Sequence, residues 1–500
     1  MTPMTSKSSG ALLRTLLALG GLASLCAAPA RAEVPGIGGP SFNLVASADY
    51  ISQPDGASIY SWGYGCDGAP SRFLPARPAY AQGPQAGCLA MQLPGPTLVV
   101  TEGDLVTVTL RNNLPAAAGN TSILFPGFAV ATGGTGVAGM MTQEAASGGT
   151  VTYSFVATTP GTHAYYSGTQ ADLQIEMGLY GALIVRPKAP PPGCSRGDFS
   201  HSASAYGNAS TCYDREYLFQ ISEMDSRIHA SALAQVQACP ASTAARPCPA
   251  IRVVTEPYRP NYFLLNGRSM PDVMDTNYAP NYVHQPYNAN PHMHPGELLL
   301  MRIIGQGRWQ HPFHFHGNHA RVLARDGNLM VSKADGVSLA GPLLFTTPTV
   351  SGQTQDQIFS WTGKGLNWDV YNHRPGDGSV CMPDANGFHG GYTGGVKDAN
   401  FGEWCADHGK PIPVVPPDPN IVAIGQWYGG TPYLGLQTTS QGFTTTTEPP
   451  GTLNQNPQAG YAYMWHSHNE REITTNDVFP GGILSMLLID PPTWLIDETL

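Results

Sequence analysis

The stretch Thr97-Leu-Val-Val-Thr-Glu-Gly-Asp-Leu-Val-Thr-Val-Thr-Leu110 decides the fold. It is dense in β-branched residues, alternates in part, and carries a turn at Gly103-Asp104, which predicts two strands joined by a tight connection. Working outward, Val151-Thr-Tyr-Ser-Phe-Val156 and Gly181-Ala-Leu-Ile-Val185 are further strands of a unit spanning 41–187. A second unit, 215–492, repeats the order with Glu216–Ile221, Tyr262–Gly267, Gly296–Ile304, Gly460–Trp465 and Gly482–Ile489. In both, a strand enters through glycine plus an acid, and a late aromatic strand leads to a final apolar one. Many short strands between turns predict an all-β protein of two β-sandwiches. Residues 188–214 read as a Pro-rich linker, because Lys188-Ala-Pro-Pro-Pro-Gly193 favours extended polyproline geometry. A Gly-rich insertion at 364–420, holding Cys381 and Cys405, is expected to be a disulfide-tied surface loop that enlarges the second unit.

Composition supports this reading. In 500 residues there are 58 Gly and 45 Pro, and only 12% are charged. Glycine and proline break helices, so long helices and coiled coils are excluded. A hydrophobic share of 42% suffices for a packed core. The formal net charge of −10, with no basic run, gives no electrostatic support for nucleic acid or anionic membrane as a partner. Lys7 and Arg14 precede the apolar Leu16–Ala28, and Ala30-Arg31-Ala32 supplies a cleavage site. Residues 1–32 therefore read as a signal peptide and the chain as exported, periplasmic or extracellular. No other segment is apolar enough to span a membrane. Cys26 leaves with the signal, and the even count that remains suggests four disulfides. Sequence neighbours pair most simply as 66–88, 194–212, 239–248 and 381–405, although spacing does not fix the connectivity. No thiolate is then left for a metal.

The 15 histidines are unevenly placed, with none from Glu33 to Thr162. His314-Phe-His316 on a strand puts two imidazoles on one face and the phenyl ring on the other, and His466-Ser-His468 repeats the arrangement. Two such strands side by side bring four imidazoles together, a donor set that suits copper or zinc. The candidate ligands are His314, His316, His466 and His468, with His311 near them. Asn469-Glu-Arg-Glu472 to Asp477 is either a solvated turn or a source of hard oxygen donors for manganese or iron. His284, His292 and His294 read as loop residues.

The sequence resembles the multicopper oxidase family. His311-Pro-Phe-His-Phe-His-Gly317 is similar to that family's H-P-x-H-L-H-G strand. Pro94-Gly-Pro-Thr97 with Gly103-Asp104 resembles its first-domain opening, Gly178-Leu-Tyr-Gly-Ala-Leu-Ile-Val185 its first-domain closing strand, and Trp465-His-Ser-His468 its W-H-C-H segment. The resemblance implies two cupredoxin-like Greek-key sandwiches and copper as cofactor, one or two ions here, with zinc or manganese less favoured. Family members oxidise substrate at a blue copper and reduce dioxygen at a trinuclear cluster held by eight histidines. This chain departs from that set. The family's first-domain H-W-H and H-S-H fall on Leu124-Phe125-Pro126 and Tyr166-Ser167-Gly168, Ser467 takes the thiolate position, and Glu472 lies where the later blue-copper histidine would fall. The resemblance therefore implies an exported copper protein oxidising a small organic or metal-ion substrate at a reduced site. The alternatives are a non-catalytic copper-sequestering or delivery protein and a degenerate scaffold. It also implies a trimer, in which only a different chain could supply the missing imidazoles.

Overall fold

The computed structural model describes residues 33–75, 88–189, 204–239, 242–371, 378–410 and 460–490 except 244, 394, 395 and 399, together with 191, 373, 426–428, 436–439, 442–445 and 496. The signal-peptide assignment, linker residues 190 and 192–203 with Cys194, and the tail of the insertion lie outside these residues.

The decisive stretch forms the strands Leu98–Thr101 and Leu105–Asn112. The second buries Val106, Val108 and Leu110 completely while the residues between them face outward, as its alternation requires. The two strands enter different sheets. Leu98–Thr101 lies between Tyr180–Arg186 and Gly36–Gly38, and Leu105–Asn112 lies between Ser41–Ser52 and Thr150–Val156. Each makes a parallel pairing with a strand that is not its sequence neighbour, so the connections cross between layers. Phe42, Trp62, Tyr64, Tyr153, Phe155 and Tyr165 fill the space between the layers.

The second half repeats the plan. One sheet runs Tyr262–Leu265, Arg215–Met224, Leu298–Gly305, Thr354–Ser360, Ala320–Arg325 and Asn328–Leu329. The other runs His292–Met293, Leu484–Ile489, Gly460–Ser467, His311–Phe315 and Thr346–Thr349. Phe219, Phe263, Phe313, Phe315, Tyr463 and Trp465 fill that core. The fold is therefore mostly β, with two cupredoxin-like sandwiches. One helix of 13 residues, Ser226–Ala238, departs from the all-β expectation; Asp225 caps it by accepting a hydrogen bond from Arg227 N at 3.1 Å. The helix packs Ile228 and Ala232 into the first core, and its buried His229 bonds Tyr60 O at 2.7 Å and Glu176 O at 3.1 Å.

The disulfides Cys66–Cys88, Cys239–Cys248 and Cys381–Cys405 are formed as the spacing suggested. Cys212 is also disulfide-bonded. Among the described residues, no helix is long and apolar enough to cross a membrane.

Candidate metal centre

The strands His311–Phe315 and Gly460–Ser467 run antiparallel, with His314 opposite His466, Phe313 opposite Ser467 and Phe315 opposite Trp465. This register divides the histidines between two faces. Phe313 and Phe315 point into the core with Trp465, so His314, His316 and His466 lie together on the other face, each half-buried. Gly317 ends the first strand at φ +100°, where a Cβ would press on the Tyr463 ring, and Trp465 Nε1 holds the strand end by donating to His316 O at 3.1 Å.

One ring nitrogen from each of His314, His316 and His466 lies within 4.8 Å of the other two. The His466 and His316 Nε2 atoms face each other at 3.4 Å. His466 Nδ1 lies 2.7 Å from Ser467 O, so it carries the proton, and its Nε2 presents a lone pair. His314 Nδ1 meets the Thr346 hydroxyl at 2.7 Å, which leaves Nε2 toward the cluster. The exposed His468 ring sits 4.9 Å from that of His314 and 5.6 Å from that of His466. Burial first, then the neighbouring imidazoles, pushes His314 down to about 4; burial, aided by His468, also lowers His466. These rings are thus held neutral at neutral pH, the form that binds a metal. The convergent neutral donors fit one imidazole-bound ion.

His311 stands apart from this group. It shares strand parity with Phe313 and Phe315, is fully buried, and has both ring nitrogens engaged: Nδ1 with Glu472 Oε2 and Nε2 with Glu223 Oε2, each at 2.8 Å. Burial alone would lower its pKa, but the two carboxylates together raise it to about 9. Glu472 also accepts from Ser467 Oγ at 2.5 Å and from Asn469 Nδ2 at 2.9 Å. Glu223 Oε1 accepts from the backbone N–H groups of Arg308 at 2.6 Å and Trp309 at 2.8 Å. Glu472 is therefore neither a solvated turn residue nor an outward-facing oxygen donor. The carboxylate–imidazolium–carboxylate bridge occupies the place where the resemblance puts a blue copper.

The first sandwich repeats the second in outline. Leu124 bridges Tyr166, its N–H donating to Tyr166 O at 2.8 Å, as His314 opposes His466. Phe125 and Ser167 are buried between them, as Phe315 and Ser467 are. The pairing persists, but leucine and tyrosine stand where the first imidazole of each pair would be. His163 is buried against Phe128, with Nε2 at 2.9 Å from Thr159 O.

The loop histidines of the sequence reading, His284, His292 and His294, each have a polar partner. His292 pairs with Asp490 at 2.6 Å, His294 with Glu297 at 3.2 Å, and His284 with Met91 O at 2.9 Å. Four insertion residues that sequence reasoning missed, Asp369, His373, Glu403 and His408, also converge.

The family model described as "Multicopper oxidase" matches residues 80–190. Copper resistance protein A of Pseudomonas syringae pv. tomato is 38% identical over 100 residues, which are 20% of this chain and 16% of that protein. The chain is therefore similar to multicopper oxidases over about a fifth of its length. A multicopper oxidase from Talaromyces pinophilus is 37% identical over 105 residues, 20% of this chain and 16% of its own length. Copper resistance protein A of Escherichia coli is 30% identical over 139 residues, 28% of this chain and 19% of that one. These matches thus span less than a fifth of each relative. A blue copper oxidase from Nitrosomonas europaea superposes with a TM-score of 0.47 at 16% identity, over 89% of this chain and 85% of that one.

Proposed function

We propose that this multicopper oxidase relative is an exported protein that binds one copper ion through His314, His316 and His466, with His468 at the rim. The convergence of three half-buried imidazole nitrogens within 4.8 Å carries this reading. Copper held there would supply one-electron redox chemistry. The chain's own residues do the rest. Thr346 and the Ser467 carbonyl fix the ring orientations of His314 and His466 through Nδ1, and the buried Phe313–Phe315–Trp465 layer holds both strands in register. His311, gripped by two carboxylates, is withdrawn from the ligand set. Three disulfides support an oxidising compartment.

An open cleft of about 650 Å³ lined by Asn318, His319, Arg321, Leu343 and Ile358 starts just after His316. The Phe345 ring stands between His319 and His314, at 5.1 and 5.7 Å. This cleft suits a small organic or metal-ion substrate. A second reading, a copper-sequestering or delivery protein without turnover, is favoured by one observation: Leu124 and Tyr166 fill the first-sandwich positions that the family uses for copper.

The test is anaerobic copper loading of the purified chain, with metal analysis and electron paramagnetic resonance. One copper per chain with nitrogen hyperfine structure and no thiolate-to-copper band is expected, and His314→Ala with His316→Ala should abolish it. Unchanged copper content in that variant would remove these strands from the site. Dioxygen uptake in the presence of a reducing substrate separates oxidation from sequestration.

A further inference from the structure

Asp369, His373, Glu403 and His408 belong to the insertion in the second half of the chain, tied by the Cys381–Cys405 disulfide. Four pairs of their ligand atoms have known separations. His408 Nδ1 to Glu403 Oε1 is 2.8 Å, His373 Nδ1 to Asp369 Oδ2 is 3.0 Å, His373 Nδ1 to Glu403 Oε1 is 3.4 Å, and His408 Nδ1 to Asp369 Oδ2 is 3.9 Å. The same four atoms recur in every pair, and all lie within 4.8 Å of one another. A tetrahedral zinc ion keeps nitrogen and oxygen donors ~2.0–2.1 Å away, which sets donor–donor edges at about 3.3 Å. The observed edges bracket that value.

We propose that Asp369, His373, Glu403 and His408 form a structural zinc site that pins the insertion to the second sandwich. The proposal stands apart from the copper reading, because it shares no residue with it.

The surroundings are those of a built site. Asp369 and Glu403 are buried. Asp369 Oδ1 accepts from Tyr371 N at 2.8 Å and Oδ2 from Gly409 N at 2.7 Å, and Glu403 Oε2 accepts from Asn400 Nδ2 at 2.8 Å. These bonds fix both carboxylates while leaving Glu403 Oε1 to the cluster. His408 Nε2 lies 3.3 Å from Ser379 O, the carbonyl partner that commonly orients a metal-binding imidazole. His408 Nδ1 lies 2.8 Å from Glu403 Oε1. Two acceptors at that distance repel unless a proton or a cation sits between them. Two carboxylate oxygens, from Asp369 and Glu403, face both imidazoles across these short edges, which favours a positive charge at the centre. A divalent ion meets that demand for all four groups at once, and a mixed nitrogen–oxygen set of four suits zinc. The pinning follows from position: Tyr371, between Asp369 and His373, donates its hydroxyl to Pro295 O of the sandwich at 2.6 Å.

The experiment uses the full chain, stripped with a chelator, re-equilibrated against zinc alone and analysed for bound metal. One zinc equivalent is expected that survives His314→Ala with His466→Ala and disappears in His373→Ala with His408→Ala. Should the latter variant misfold, the near-isosteric Asp369→Asn and Glu403→Gln variants should each weaken zinc binding by at least about tenfold. In the unaltered chain, cobalt(II) should give tetrahedral ligand-field absorption that zinc displaces. Equal zinc content with and without these four residues would overturn the proposal, as would an octahedral cobalt spectrum; the cluster would then be histidine–carboxylate ion pairs only.

Discussion

At the residue scale, His311 shows how strand parity sorts chemistry. It is three residues from His314 and therefore faces the opposite side of the strand, among the phenyl rings. The sequence carried this signal, because the alternation that pairs His314 with His316 also excludes His311. Its carboxylate partners were not legible, since Glu223 lies 88 residues before it and Glu472 lies 161 after it. The consequence is a pH-dependent stability. The folded pKa of about 9 lies above the ordinary histidine value of 6.5. The stabilisation is therefore fully present below pH ~6.5 and is lost as pH rises through ~9, amounting to about 3 kcal/mol. Urea denaturation at stepped pH should show this loss in the unaltered protein and not in His311→Gln, which is also less stable at pH 6 by roughly 3 kcal/mol because it leaves two carboxylates buried without a counter-charge. Parallel stability–pH curves for the two proteins would refute the charged bridge.

At the scale of the element, the facing strands His311–Phe315 and Gly460–Ser467 present two different sites on their two sides. The imidazole face was readable from the two H-x-H pairs. The buried face was not, because a serine in a thiolate position says what is missing and not what replaces it. Ser467 Oγ donates to Glu472, and Glu472 holds His311, so the pocket is complete without copper. Restoring sulfur alone should therefore fail. In Ser467→Cys, the Glu472 carboxylate beside the new thiol opposes its ionisation. Copper-loaded Ser467→Cys should show no intense visible thiolate-to-copper band. Adding Glu472→His and Glu223→Gln frees His311 and supplies a second imidazole, so the triple variant should gain the band. An intense band in the single variant would mean that the carboxylate bridge is not what excludes copper. The insertion offers the opposite lesson: its four convergent ligands sit on loops with no periodicity, and their meeting depends on a disulfide-tied path that spacing alone does not specify.

For the whole molecule, the two sandwiches share buried polar chemistry that ties their positions together. Arg302 is fully buried, bonds Glu216 at 2.7 Å, lies 3.6 Å from Asp356 and donates to Thr162 Oγ1 at 3.0 Å. Thr162 belongs to the first sandwich; its N–H donates to Asp356 Oδ2 at 3.1 Å, and its carbonyl accepts from Thr354 Oγ1 at 2.7 Å. One guanidinium thus pairs with two buried carboxylates and reaches across the junction. The repeated β units and their order were legible in the sequence; this junction was not, because its members come from four separate stretches and each looks like an ordinary strand residue. Replacing Arg302 by Met keeps most of the volume, leaves Asp356 without its cation and leaves Glu216 only Arg186 at 3.7 Å, which should cost about 3–5 kcal/mol. Thr162→Val removes only the cross-junction hydrogen bonds of the hydroxyl and should cost about 1–2 kcal/mol. If the network couples the sandwiches, Arg302→Met should also separate chemical unfolding into two transitions, followed by tryptophan emission from Trp62 in the first core and Trp465 in the second. A single transition with unchanged midpoint would show that the apolar contacts between the halves hold them together without this arginine.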